Sequence, residues 1–166
     1  MLIGVALGSN LGNRRKQLDD AVDFLQTLSP CLLLSSYYVS QPVDCPPGSD
    51  YFYNAVAQIE YKGDLLNLLD SFQKYEIEQG RGLKSARELN APRPIDLDIL
   101  YADDQRMAEE RLTLPHERMT ERLFVLEPLA EIRPDWQQPG TTVTAKELLH
   151  TCRMKFGKEQ VCLRIV

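Results

Sequence analysis

Ile95-Asp96-Leu97-Asp98-Ile99-Leu100-Tyr101 alternates acids with aliphatic residues inside a run that otherwise reads as a buried β-strand. Side chains on a strand alternate between faces, so Ile95, Leu97 and Ile99 are expected to enter a core while Asp96 and Asp98 project together from the other face. Asp is a poor strand former and is seldom buried without a partner. Two carboxylates side by side on a rigid strand repel each other, and a hard divalent cation relieves that repulsion. One reading is therefore a magnesium site. The other is a solvent-facing edge strand whose acids pair with Lys or Arg, and on this stretch alone the two stand level.

The flank upstream tips the balance. Gly80 to Pro94 has no sustained apolar periodicity, and Pro92 and Pro94 stop any helix, so the segment reads as a long cationic loop delivered to the acid strand. Arg81, Lys84, Arg87 and Arg93 exceed what two aspartates require. A polyanion bound through the metal accounts for the surplus, and phosphate is the obvious candidate.

With 166 residues, 43% hydrophobic and 26% charged, the chain is long enough for one well-buried core, so a single domain over 1–166 is expected. A net charge of -5 argues against a nucleic-acid or anionic-membrane partner. Met1 to Leu7 lacks a basic start and is interrupted by Gly8-Ser9-Asn10, so no signal peptide is expected, and no apolar run is long enough to cross a membrane. Cys31, Cys45, Cys152 and Cys162 are not closely paired in sequence. A zinc cluster is not expected, and reduced thiols in a cytoplasmic protein are.

Leu2 to Leu7 reads as a strand, followed by a helix with Leu18, Ala21, Val22, Leu25 and Leu28 at helical spacing, capped by Asn13 and closed by Pro30. Leu32 to Ser40 reads as one strand, Pro42 to Asp50 as a proline-stiffened loop, and Tyr53 to Tyr61 as a second strand. Gly63-Asp64 opens an amphipathic helix that buries Leu65, Leu68, Leu69, Phe72, Tyr75 and Ile77. After the acid strand come a turn at Asp103-Asp104-Gln105 and an extended Arg111 to His116. A helix from Glu121 to Ile132 is expected to kink or break at Pro128, Thr144 opens a capping box with Glu147, and Val161 to Ile165 forms an apolar tail. Strands and helices interleave without regular alternation, which favours an antiparallel or mixed α+β sandwich over a doubly wound parallel sheet.

No phosphate-cradling glycine motif occurs, so a nucleotide has to be held by metal and cationic side chains. A second basic cluster of Arg111, His116, Arg118 and Arg122, with the Thr113 hydroxyl nearby, suits nucleotide contact. Asn54 offers an acceptor and two donors to a planar heterocycle, and Phe52 and Phe124 are candidates to stack on one.

Leu7-Gly8-Ser9-Asn10-Leu11-Gly12, Tyr53-Asn54-Ala55-Val56, Gly80-Arg81, Ala91-Pro92-Arg93 running into Ile95-Asp96-Leu97-Asp98-Ile99-Leu100, Arg111-Leu112-Thr113-Leu114-Pro115-His116, and Arg122 with Phe124-Val125-Leu126 and Pro128-Leu129 occur in this order. In this the chain resembles the 6-hydroxymethyl-7,8-dihydropterin pyrophosphokinases. The resemblance covers nearly the whole chain, and its Pro-Arg-x-x-Asp-Leu-Asp element is specific.

The resemblance implies a ferredoxin-like α+β fold, an antiparallel or mixed sheet flanked by helices in three α-β-α layers. It also implies transfer of pyrophosphate from ATP to the pterin hydroxymethyl group, with AMP released, as a step of folate biosynthesis. Asp96 and Asp98 would hold two magnesium ions on the ATP phosphates, Arg81 and Arg93 would act catalytically on those phosphates, and Asp96 is a candidate to accept the proton of the attacking hydroxyl. Gln73, Ile99, Arg111, Thr113, His116 and Arg122 match ATP-contacting positions. Pro42, Val43, Phe52, Asn54 and Phe124 match the pterin pocket, and Glu76 matches an acid near the site. A monomer is expected.

The departures from the family pattern lie in segment 80–94, which is read as a lid. Relatives carry a further arginine soon after the position of Arg81, an aromatic before the Pro-Arg, and Gly at the position of Ala91. This chain has Gly82-Leu83-Lys84 and Leu89-Asn90-Ala91, with Lys84 or Arg87 as the replacement cation. Two other classes compete: a metal-dependent nuclease or nucleotidyltransferase, opposed by the net acidity, and a non-catalytic ATP or pterin sensor, supported by the altered lid alone.

Overall fold

A computed structural model of the protein describes residues 1–82 and 91–165. The opening apolar run forms strand β1 (Leu2–Ser9), and the helix-period residues after it form α1 (Arg14–Leu28). Asn13 caps this helix by accepting the Lys16 amide at 3.1 Å, and Leu18, Ala21 and Leu25 form its buried face.

The single strand expected over Leu32 to Ser40 is two, β2 (Leu32–Leu34) and β3 (Tyr38–Ser40), both antiparallel to β4 (Phe52–Glu60). Leu34 stands opposite Ala57 and Tyr38 opposite Asn54, so four steps on one side meet three on the other. The extra residue is a bulge. Ser35 fills it by donating its amide to the Val56 carbonyl and accepting the Val56 amide on its Oγ, each at 3.0 Å. Glu131 locks the next residues by accepting the Ser36 amide at 3.1 Å, the Ser36 hydroxyl at 2.8 Å and the Tyr38 hydroxyl at 2.9 Å.

Helix α2 (Leu65–Glu78) starts at Asp64, whose carboxylate accepts the Leu66 and Asn67 amides. Ile77, expected on its buried side, is 49% exposed, and Glu76 turns inward instead. The acid strand is β5 (Asp96–Ala102). A short ribbon of β6 (Met107–Ala108) and β7 (Thr113–Leu114) follows, then a 3-10 turn at Met119–Glu121 and α3 (Leu123–Ile132). Pro128 does not break α3: it sits in the second turn, where its ring removes only the bond to the Phe124 carbonyl. The capping box of Thr144 and Glu147 opens α4 (Ala145–Phe156), and the apolar tail forms β8 (Cys162–Arg164).

The main sheet runs β5-β1-β4-β3-β8, with β2 also on β4, and every pairing in it is antiparallel. The order β-α-β-β-α-β with β1 and β4 central is the ferredoxin-like arrangement. Leu18, Leu25, Leu68 and Phe72 from α1 and α2 pack with Leu97 and Ile99 on one face of the sheet. On the other, Leu126, Leu129 and Leu149 from α3 and α4 pack with Val56, Leu100 and Tyr101. These are the three expected layers. No helix among the described residues is long and apolar enough to cross a membrane.

A second bulge shapes the acid strand. Gly4 pairs with Tyr101 and Val5 with Ile99, so Leu100 has no counterpart on β1, and Leu100 and Tyr101 both join the α3–α4 side. The Tyr101 ring occupies the space over Gly4, where a Cβ would come within 2.1 Å of it, and stacks on Trp136 with centroids 4.7 Å apart. Gly4→Ala is expected to lower the unfolding free energy by about 1–3 kcal/mol through overpacking. Urea unfolding measures it, and an unchanged midpoint and slope would show that this close approach is not needed.

Candidate active site

The cleft is a product of strand register. Gly8 on β1 stands opposite Asn54 on one side and Asp96 on the other, and Ala6 stands opposite Val56 and Asp98. With a two-residue period, all six face the α3–α4 side. Gly8 and Ala6 make a low floor between taller walls, and the cleft above it opens to solvent. Asp96 and Asp98 rise on one side, Val43, Phe52 and Asn54 on the other, with Arg93, Arg122 and Phe124 around the rim.

Both aromatic rings carry a guanidinium: Arg93 lies 5.3 Å from the Phe52 centroid and Arg122 lies 5.4 Å from that of Phe124. Asn54 is buried and donates its amide to the Ser40 hydroxyl at 2.9 Å. Its Oδ1 therefore lies over the bare floor, 3.4 Å from where a Cβ on Gly8 would stand. This leaves an acceptor free in a cleft that the Phe52 and Phe124 rings also line.

Behind the acids, Arg81 places one Nη1 between Glu76, at 2.5 Å, and Asp96. Arg93 approaches the second oxygen of Asp96 through Nε at 2.9 Å. Burial alone would raise the pKa of Asp96, but Arg93 and Arg81 together hold it below the usual value. Glu76 accepts the Leu97 amide at 2.8 Å, yet burial, with Asp96 adding to it, pushes its pKa up to about 7. The Asp98 side chain has no hydrogen bond or ion pair among the described residues, and burial followed by the charge of Asp96 likewise raises its pKa to about 7, against the opposing pull of Arg122. Arg122, desolvated and repelled by Arg118, has a lowered pKa and makes no ion pair among the described residues. The site thus holds a cation facing the cleft and a carboxylate that resists ionisation, and both invite a ligand of opposite charge.

Asn10 sets the backbone of Arg93: its Oδ1 accepts the Arg93 amide at 2.9 Å, and its own amide donates to the Arg93 carbonyl at 3.2 Å. His116 donates its amide to the Leu100 carbonyl at 2.8 Å and accepts the Arg118 amide on Nδ1 at 3.2 Å, which leaves its proton on Nε2. Burial, then Arg122, lowers its pKa and keeps it neutral. Arg111 is ion-paired to Asp70 on α2, and Arg118 to Asp44 of the proline loop.

The structure therefore brings Val43, Phe52, Asn54, Phe124, Arg93, Asp96, Asp98 and Arg122 together, with Pro42 next in chain to Val43 and Arg81 behind Asp96. Thr113 is half-buried on β7, and Gln73 is exposed on α2 one turn before Glu76. The Ile99 side chain is not in the cleft: it is 2% exposed in the core on the opposite face. Lys84, Arg87 and most of the expected lid lie outside the described residues. Ser40, Gln41, Cys45 and Asn10 belong to the cleft or its supports without having been singled out as site residues. Only Asn10 carried a signal, as a polar residue closing an apolar strand.

A sequence model of the 7,8-dihydro-6-hydroxymethylpterin-pyrophosphokinase (HPPK) family matches residues 4–134. The chain belongs to this family. It is 41% identical over 151 residues to a 2-amino-4-hydroxy-6-hydroxymethyldihydropteridine pyrophosphokinase of Pseudomonas aeruginosa, covering 89% of this chain and 90% of the relative. A relative of the same name in Bacillus subtilis is 36% identical, covering 94% and 93%. The fold is similar to that of the crystal structure of Plasmodium falciparum HPPK-DHPS wild type with pterin and p-hydroxybenzoate, at a TM-score of 0.72 and 15% identity. That alignment takes in 95% of this chain but only 42% of the longer malarial one.

Among the described residues no group of three or more His, Cys, Asp or Glu makes a closed metal cage. Two carboxylates opening on a cleft fit magnesium, which takes its remaining oxygens from phosphate and water. Of Glu76, Asp96 and Asp98, Asp98 is the one with no ion pair among the described residues. Its raised pKa means that folding favours its protonated form, so the stability this gives is complete below about pH 4 and lost as pH rises through about 7. Without metal, Asp98→Asn is therefore expected to unfold at higher urea than wild type at pH 8, with an advantage that shrinks towards pH 4. A variant less stable at pH 8 would contradict the charge argument.

Proposed function

We propose that this chain transfers the terminal pyrophosphoryl unit of ATP to the hydroxymethyl group of 6-hydroxymethyl-7,8-dihydropterin, giving AMP and the pterin diphosphate in folate biosynthesis. The observation that carries this reading is one cleft in which an Asn54 acceptor and two aromatic rings adjoin an acid pair and two guanidiniums. A flat heterocycle and a polyphosphate need these two halves side by side.

The pterin lies over Gly8 between Phe52 and Phe124, with Asn54 Oδ1 accepting from its amide edge and its hydroxymethyl group towards Asp96 and Asp98. Its hydroxyl oxygen bonds to the β-phosphorus of ATP, the bond from that phosphorus to the α-phosphate oxygen breaks, AMP leaves, and the hydroxyl proton passes to solvent. Asp96 and Asp98 would hold two magnesium ions through their carboxylate oxygens, and the metal would supply charge neutralisation of the phosphates. Held ionised by Arg81 and Arg93, Asp96 is a weak proton acceptor, which argues against the role of base and for that of metal ligand. Arg93 and Arg122 face the phosphates and stabilise the charge that moves on to the leaving AMP. His116, neutral with its proton on Nε2, donates rather than carries charge. Arg111, Thr113 and Gln73 complete the ATP side.

AMP release from ATP and magnesium, resolved from ADP by chromatography with and without the pterin, tests this reading. AMP and a pyrophosphorylated pterin are expected only when both substrates are present. ATP binding without AMP release would point instead to a sensor. Asp96→Ala and Asp98→Ala are expected to lower kcat by at least about 10³-fold with the fold retained, and near-normal turnover would remove them from the site. Arg93→Ala is expected to lower kcat more than it raises the KM for ATP, and an unchanged kcat would refute its transition-state role.

A further inference from the structure

The last described residues lie beyond the matched stretch 4–134, yet three consecutive ones hold both walls of the cleft. On one side, β8 pairs with β3 so that Cys162 stands opposite Ser40, the partner of Asn54, and the Val161 carbonyl accepts the Gln41 amide at 3.2 Å. Gln41 leads directly into Pro42-Val43. On the other side, the Gln160 side chain bonds at both ends. Its Oε1 accepts the Leu123 amide at 2.9 Å, and its Nε2 donates to the Glu121 carbonyl at 2.8 Å.

These two bonds bracket Arg122, which is the N-cap of α3 and makes no side-chain capping bond of its own. A long amide from a distant segment thus does the work that a local Ser or Asp does at an ordinary helix start. Gln160 is itself fixed, its amide donating to the Phe156 carbonyl at 2.9 Å at the end of α4. The rest of α3 does not need this clamp to remain helical, because Leu123, Leu126 and Leu129 are buried in the core. The clamp acts where Arg122 and Phe124 leave the helix for the cleft.

We propose that Gln160 is a positioning residue for the reaction, setting the backbone of Arg122 and with it the placement of the Arg122 guanidinium and the Phe124 ring, while Val161 and Cys162 set the facing wall. The proposal rests on the function proposed above. Guanidinium placement decides how well charge on the phosphates is met, and an error on the order of 1 Å reduces rate by up to about a hundredfold.

The test compares wild type, Gln160→Leu and Thr144→Ala. The last removes the N-cap of α4, at the opposite end of that helix from Phe156, and controls for a helix cap lost elsewhere in the fold. At a temperature where all three are folded, Gln160→Leu is expected to lose about tenfold in kcat/KM for ATP, and Thr144→Ala to match wild type. Gln160→Glu, which keeps the acceptor for the Leu123 amide, is expected to recover part of the loss. Gln160→Leu kinetics equal to wild type, or losses equal in Gln160→Leu and Thr144→Ala, would overturn the proposal.

Wild type that makes no AMP would instead count against the proposed function. The clamp is then read by amide hydrogen exchange at Val125 and Leu126, which bond to the Arg122 carbonyl at 3.1 and 3.0 Å. Faster exchange there in Gln160→Leu, with α4 unchanged, supports the clamp, and unchanged exchange overturns it.

Discussion

Three carboxylates at the start of β5 share two ion-paired guanidiniums, while the third cation, Arg122, attracts Asp98 without forming an ion pair with it. Arg81 divides itself between Glu76 and Asp96, and Arg93 takes the other oxygen of Asp96. Asp98 is left over. Removing charges from water is costly, and only well-made pairs repay the cost, so a surplus carboxylate at a half-buried position is a liability in the free protein. In the function proposed above, a metal carried in by a phosphate ligand would convert that liability into binding. On that reading the free protein stores repulsion that the ligand would relieve, which is the usual trade of stability for function at an active site.

The rest of the molecule holds that arrangement in place. Strand alternation sends Ile95, Leu97 and Ile99 into one core, so Asp96 and Asp98 have nowhere to turn but the opposite face. The bulge at Leu100 then gives that face an aliphatic and an aromatic anchor, Leu100 and Tyr101, beside the acids. Glycine at position 4 admits Tyr101, and glycine at position 8 keeps the cleft floor low. Asn10 fixes the Arg93 backbone from the end of β1, and Gln160 fixes that of Arg122 from the far end of the chain. Each guanidinium then rests near a ring, which lowers the entropy lost when a phosphate arrives.

Much of this was legible because it is local. Alternation in residues 95–99, the caps at Asn13, Asp64 and Thr144, and the helical spacing of Leu65, Leu68 and Phe72 need only the backbone periods and a few hydrogen bonds. What escaped depends on a partner distant in sequence. The bulges at Ser35 and Leu100 arise from register against β4 and β1. The inward turn of Glu76 comes from the Leu97 amide and Arg81, where helix patterning favoured Ile77. Gln160 meets α3 across 37 residues, with nothing local to mark it. Ile99 is the reverse case: the alternation that turns Asp98 to the cleft buries the Ile99 side chain in the opposite core.

The central claim is that burial and Asp96 outweigh the nearby arginines, so that the protein alone compensates the Asp98 charge incompletely. Carboxyl-detected NMR titration of this residue, without ligand and then with magnesium and a non-hydrolysable ATP analogue, measures that directly. The account predicts a midpoint of about 7 in the free protein and full ionisation across the same range once metal and nucleotide are bound. A midpoint near the ordinary aspartate value of about 4 in both states would contradict it, because no stored repulsion would then be present for the metal to relieve.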